Sequence, residues 1–97
     1  MTILVTLELH LQPGKLEAFC QQVLGPALPV TRAFDGCLGI EMFAEQGDNR
    51  LLLVQKWVSK AHNDAYLAWR RANGLADMLA PWIIGEPVFR WFDPRPE

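Results

Sequence analysis

An α+β fold built on one four-stranded antiparallel sheet is what this sequence predicts, and three observations carry it. Residues 2 to 11 alternate, with Ile3, Val5, Leu7, Leu9 and Leu11 on one face and Leu4, Thr6, Glu8 and His10 on the other, as a strand with one dry face requires. Leu51 to Trp57 is apolar on both faces at its start and carries polar groups only just before its terminal tryptophan, so it needs cover. Stretches of helical spacing separate these runs from two further strand-like segments.

The elements follow in order. Pro13-Gly14 breaks the first strand, and Lys15 to Leu24 places Leu16, Phe19, Cys20, Val23 and Leu24 at helical spacing. Gly25-Pro26 and Pro29 are expected to interrupt that helix, because proline lacks the amide proton and restricts its predecessor. Residues 26 to 34 then form an irregular turn or short helix. Asp35-Gly36 turns the chain into a second strand, Cys37 to Ala44, with Cys37, Gly39 and Phe43 on one face and Leu38, Ile40 and Met42 on the other. Gln46-Gly47-Asp48-Asn49 joins it to the third strand, Leu51 to Val58, as a hairpin. Ser59 caps a helical region from Lys60 to about Pro81, with Ala61, Ala65, Ala68, Ala72, Leu75, Ala76 and Leu79 along one side and a kink or break at Gly74. Val88 to Phe92 is a last strand, and residues 93 to 97 are a tail.

Strand, helix, strand, strand, helix, strand is the split β-α-β, ferredoxin-like arrangement. Two helices cover one sheet face, while the second and third strands are apolar on both. The uncovered face predicts a homodimer packed sheet on sheet, since buried apolar area contributes roughly 25 cal/mol per Å². The 97 residues are read as one domain, 1–97.

Composition narrows function. A net charge of −2 with scattered basic residues argues against nucleic acid, and no apolar run is long enough to span a membrane. Met1-Thr2-Ile3 lacks the basic opening of a signal peptide, so the expected location is the cytoplasm, and Cys20 and Cys37 read as reduced thiols. His10 and His62 are far apart and neither cysteine has Cys-x-x-Cys spacing, which argues against a structural zinc site. No Gly-rich phosphate loop or metal-ligand cluster occurs, so no cofactor is expected.

Pro13-Gly14, Thr31-Arg32, Asp35-Gly36-Cys37-Leu38, Gln55-Lys56-Trp57, Tyr66-Leu-Ala-Trp-Arg and Val88-Phe-Arg-Trp-Phe-Asp together resemble the antibiotic biosynthesis monooxygenase domain, a dimeric α/β barrel of ferredoxin-like subunits. The resemblance implies a cofactor-independent monooxygenase acting on a small aromatic such as a quinol, phenol or polyketide-like anthrone. In that chemistry the deprotonated substrate itself activates dioxygen. It also implies a role for the tryptophan closing the third strand, Trp57. The sequence departs from known members elsewhere: Leu53 replaces the pocket asparagine of anthrone oxygenases, and Tyr66 stands where quinol-oxidising members carry a helical histidine. Leu7 replaces the first-strand asparagine of haem-degrading members, and residues 63 to 97 lack histidine, which disfavours haem degradation. These departures leave two alternatives: a non-catalytic small-ligand-binding or regulatory domain, and a small-metabolite isomerase.

Trp57, His62 and Tyr66 are the candidate catalytic residues. Trp57 would stack on the ring, His62 carries an imidazole, the side chain most often used as a general base, and Tyr66, one turn further along the helix, could hold an oxyanion. Phe43, Asn63, Trp69, Arg70, Met78 and Trp82 are the candidate substrate-binding residues: an apolar, aromatic lining with a few polar groups. Arg71 is a second cation that could clamp an anionic oxygen.

Overall fold

The computed structural model describes residues 2–47 and 49–97; Met1, and Asp48 of the expected hairpin turn, lie outside the described residues. Strands β1 (Ile3–His10), β2 (Cys37–Ala44), β3 (Arg50–Trp57) and β4 (Val88–Phe92) form one antiparallel sheet in the order β2-β3-β1-β4. β1 is central, paired with β3 from Ile3↔Trp57 to His10↔Arg50 and with β4 from Leu4↔Phe92 to Glu8↔Val88. This is the α+β, ferredoxin-like fold expected from the alternation of β1 and the helical stretches.

One face of the sheet is covered by helices α1 (Leu16–Phe19), α2 (Gly25–Ala33), α3 (Lys60–Ala72) and α4 (Leu75–Leu79). The alternation in β1 sends Ile3, Val5, Leu7, Leu9 and Leu11 inward, where all five are buried. Around them the core has two parts. Leu9, Leu11, Phe19, Leu28, Leu53 and Leu79 belong to one, and Ile3, Val5, Trp57, Tyr66 and Leu67 to the other.

Three local readings differ from the structure. The prolines do not end the first helical region: a π-helical turn, Cys20–Leu24, links α1 to α2, and the Gly25 amide reaches back to the Cys20 carbonyl. That wider turn places Pro26 at the start of α2, where a missing amide proton costs little, and Pro29 lies exposed in the helix. In β2, an irregularity between Cys37 and Gly39 shifts the register, so Cys37 falls opposite Trp57 while Ile40 falls opposite Gln55. Cys37 therefore joins the face of Ile40 and Met42, whereas Gly39 and Phe43 take the outer face. Finally, the alanine stripe of α3 is exposed at Ala61, Ala65, Ala68 and Ala72; Asn63, Tyr66 and Leu67 face inward instead. The larger side chains remove more surface from water than a methyl group does.

The outer face mixes apolar residues with charge. Phe43, Val88 and Phe92 are exposed there, and Glu8 sits between Arg50 at 3.7 Å and Arg90 at 3.3 Å. Among the described residues no helix is long and apolar enough to cross a membrane.

Candidate functional site

Between the sheet and the helices lies a cavity of about 50 Å³. Its walls are mostly aliphatic, from Leu7, Leu9, Leu28, Ile40, Leu53, Leu67 and others, and include Met78 and Phe89. Four polar side chains break that lining: Thr31, Gln55, Tyr66 and Arg70.

Three of the four are bonded to one another. The Arg70 guanidinium donates through Nε to Tyr66 Oη at 2.8 Å and through Nη2 to Thr31 Oγ1 at 3.1 Å and the Ala27 carbonyl at 3.0 Å. Tyr66 Oη and Thr31 Oγ1 are 2.6 Å apart, and Thr31 Oγ1 lies 3.3 Å from the Ala27 carbonyl. The carbonyl can only accept, so the arrangement that uses every donor has Thr31 donating to Ala27 and Tyr66 donating to Thr31. The cluster ties α3 to α2 and sets a permanent cation in one wall of an otherwise apolar chamber. Its geometry follows from α3: Asn63, Tyr66, Leu67 and Arg70 are three, four and seven residues apart and share the inward face.

Trp57 is fully buried, and its ring lies 5.0 Å from that of Tyr66 and 6.3 Å from that of Phe34. It does not line the cavity. Its indole Nε1 donates to Gln55 Oε1 at 2.9 Å, two residues back along β3.

His62 is not brought together with Tyr66. It sits at the start of α3, where Ser59 caps the helix by accepting from the His62 amide at 3.2 Å and contacts His62 Nδ1 at 2.6 Å. Its other ring nitrogen is 3.8 Å from the exposed Asp35 carboxylate. The imidazole packs over Gly36, where a Cβ would lie 2.5 Å from His62 ring and Cβ atoms. One helical turn aligns two side chains but does not aim them alike; the α2–β2 turn claims His62, and the cavity takes Tyr66.

The remaining candidates divide in the same way. Arg70 and Met78 line the cavity. Phe43 lies on the outer face, displaced by the shifted register of β2. Asn63 is fully buried but bonded elsewhere, its Oδ1 accepting from Trp91 Nε1 at 2.8 Å while Nδ2 has no partner among the described residues. Trp69 packs outside the cavity against Phe34 and under Arg70, and Trp82 meets Phe19 edge-on in the core. Arg71 borders a separate open groove of about 660 Å³, its guanidinium 6.0 Å from the Phe89 ring. Leu75, Leu79 and Phe89 line both the groove and the cavity and so form the partition between them.

The sequence reading missed Thr31, Gln55 and Phe89. Gln55 had a signal: period two puts it in the inward series Leu51, Leu53, Gln55, Trp57, where a polar residue is out of place. Thr31 had none, because its partners are 35 and 39 residues away.

With this geometry in view, the antibiotic biosynthesis monooxygenase model matches residues 2–80. The chain belongs to the antibiotic biosynthesis monooxygenase family. Solved structures of the same fold include a monooxygenase from Streptomyces coelicolor in complex with nanaomycin D, 17% identical, with a TM-score of 0.82 over 98% of this chain and 88% of that one. A conserved protein from Methanosarcina mazei is 14% identical, with a TM-score of 0.84 over 98% and 94% of the two chains. A Mycobacterium tuberculosis protein is 18% identical, with a TM-score of 0.77 over 100% and 98%. No curated protein sequence matches significantly.

Proposed function

We propose that this family member is a cofactor-independent monooxygenase of a small aromatic, a quinol, phenol or polyketide-like anthrone, with its site in the cavity between sheet and helices. The observation that carries this reading is an aliphatic chamber with a cationic, hydrogen-bonding wall at Thr31, Tyr66 and Arg70. Such a chamber leaves little room for bulk water and favours the substrate's phenolate or enolate, the electron-rich form that reacts with dioxygen. Tyr66 and Arg70 hold the developing oxyanion. His62 would accept the proton only from a substrate extending to the start of α3, so a water admitted with the substrate takes that role more directly. Trp57 contributes by supporting Gln55 and Tyr66 rather than by stacking on the ring.

A cavity that holds benzene has a volume of order 150 Å³. At about 50 Å³ this one must open to admit a ring, and the short route is through Leu75, Leu79 and Phe89 to the 660 Å³ groove. The same small volume favours a second reading, a ligand-binding or regulatory domain without chemistry. Oxygen uptake by the purified protein, with no added flavin, haem or metal, against a panel of quinols and anthrones separates the two. Stoichiometric uptake supports the oxygenase; saturable binding without uptake supports the second reading.

We also propose a homodimer through the outer sheet face, supported by the exposed Phe43, Val88 and Phe92 beside the Glu8, Arg50 and Arg90 charges. Sedimentation equilibrium at micromolar concentration should give about twice the 11.0 kDa chain mass. A folded monomer would remove this assembly.

A further inference from the structure

Gln55 is 4% exposed and belongs to the inward series of β3, opposite Val5 and Ile40. A primary amide in such a place is costly unless its groups are bonded. Half of it is: Oε1 accepts from the Trp57 indole at 2.9 Å. An indole N–H can only donate, so it settles which end of the amide is oxygen and prevents the flip that would otherwise be open to a glutamine. The Nε2 end carries two donors, and among the described residues no protein atom accepts from it, although Gln55 lines the cavity. The other polar groups of the chamber bond to one another or to the Ala27 carbonyl. Gln55 Nε2 presents two donors to it that find no acceptor among the described residues.

We infer that Gln55 is a ligand-binding residue that donates from Nε2 to an acceptor oxygen of whatever occupies the cavity, and that Trp57 is its positioning residue. The inference rests on the reading of the cavity as the ligand site and narrows the ligand class. The occupant carries a carbonyl, phenolate or enolate oxygen on an apolar body. A hydrocarbon of the same shape leaves the two donors unmet, and a cation meets donors and the Arg70 charge together.

Acetophenone and ethylbenzene test this: both carry a two-carbon chain on a benzene ring, and only acetophenone has an acceptor oxygen. Binding is followed by two-dimensional ¹H–¹⁵N NMR, which reports the Gln55 side-chain NH₂ pair directly. In the wild type, acetophenone should bind about tenfold more tightly than ethylbenzene, the size of one neutral hydrogen bond made to an otherwise unmet donor. It should shift the Gln55 pair, and ethylbenzene should not. Gln55→Met should bring the affinity ratio close to one, and Trp57→Phe, which keeps a ring but removes the indole N–H, should lower it several-fold. Equal binding of both probes, or a preference that survives Gln55→Met, overturns the role of Gln55 while leaving the cavity as a ligand site. If neither probe binds, both the cavity reading and the inference are overturned. Should Gln55→Met not fold, the wild-type NH₂ shift decides alone.

Discussion

Tyr66→Phe tests whether the cluster at the cavity wall holds the fold together. The substitution keeps the ring and its contact with Trp57, and removes one oxygen. That oxygen accepts from the Arg70 guanidinium at 2.8 Å and contacts Thr31 Oγ1 at 2.6 Å, and both Tyr66 and Thr31 are buried. A hydrogen bond from a charged donor contributes about 1.5–3 kcal/mol and a neutral one about 1 kcal/mol. Arg70 is partly exposed and regains some hydration, and Thr31 keeps its contacts with Ala27 and Arg70, so the net cost should be about 2 kcal/mol. In urea, where a small domain changes by about 1–3 kcal/mol per molar, the midpoint should fall by roughly 0.7–2 M with an unchanged slope. Thr31→Val alone and combined with Tyr66→Phe completes a cycle, with an expected coupling above about 0.5 kcal/mol. A loss below about 0.5 kcal/mol for Tyr66→Phe, or strict additivity with Thr31→Val, would refute the network and return Tyr66 to the role of a plain core ring.

Two further outcomes follow from local geometry. Gly36 and Gly74 both have φ of +88°, but a Cβ at Gly36 would meet His62 at 2.5 Å while one at Gly74 meets nothing within 4 Å. Gly74→Ala should therefore cost only the left-handed backbone penalty, about 1–2 kcal/mol, and Gly36→Ala clearly more by the same denaturation assay; equal losses would contradict the close packing of His62. Burial, and secondarily the Glu17 carboxylate, push the Cys20 thiol above its ordinary value, so less of it is thiolate at neutral pH. Its alkylation by iodoacetamide should be slow at pH 7, rise with pH through and beyond the usual thiol range, and speed up modestly in Glu17→Gln; fast labelling at pH 7 would contradict this environment.

Features that depend on near neighbours along the chain were already legible in the residues. The alternation of β1 requires five inward side chains, because successive residues of a strand point to opposite faces. Ser59 caps α3 because a serine oxygen three residues before an amide can accept from it. The four-stranded α+β fold followed, and with it the resemblance that the family match bears out. Tertiary structure alone decided the register beyond Cys37, where one extra residue moves Phe43 out of reach of the cavity, and the passage of the chain through Pro26 and Pro29 by way of a π-helical turn. It also decided which side chains line the cavity. Thr31, Tyr66 and Arg70 meet only when α2 and α3 lie side by side on the sheet, and no periodicity in the sequence encodes that distance. His62 and Trp57, the residues whose chemistry stood out in the sequence, were claimed by packing, one by Gly36 and the other by the core. Gln55 lies between these cases: its place on the dry face was legible from period two, but its orientation required the indole of Trp57 beside it.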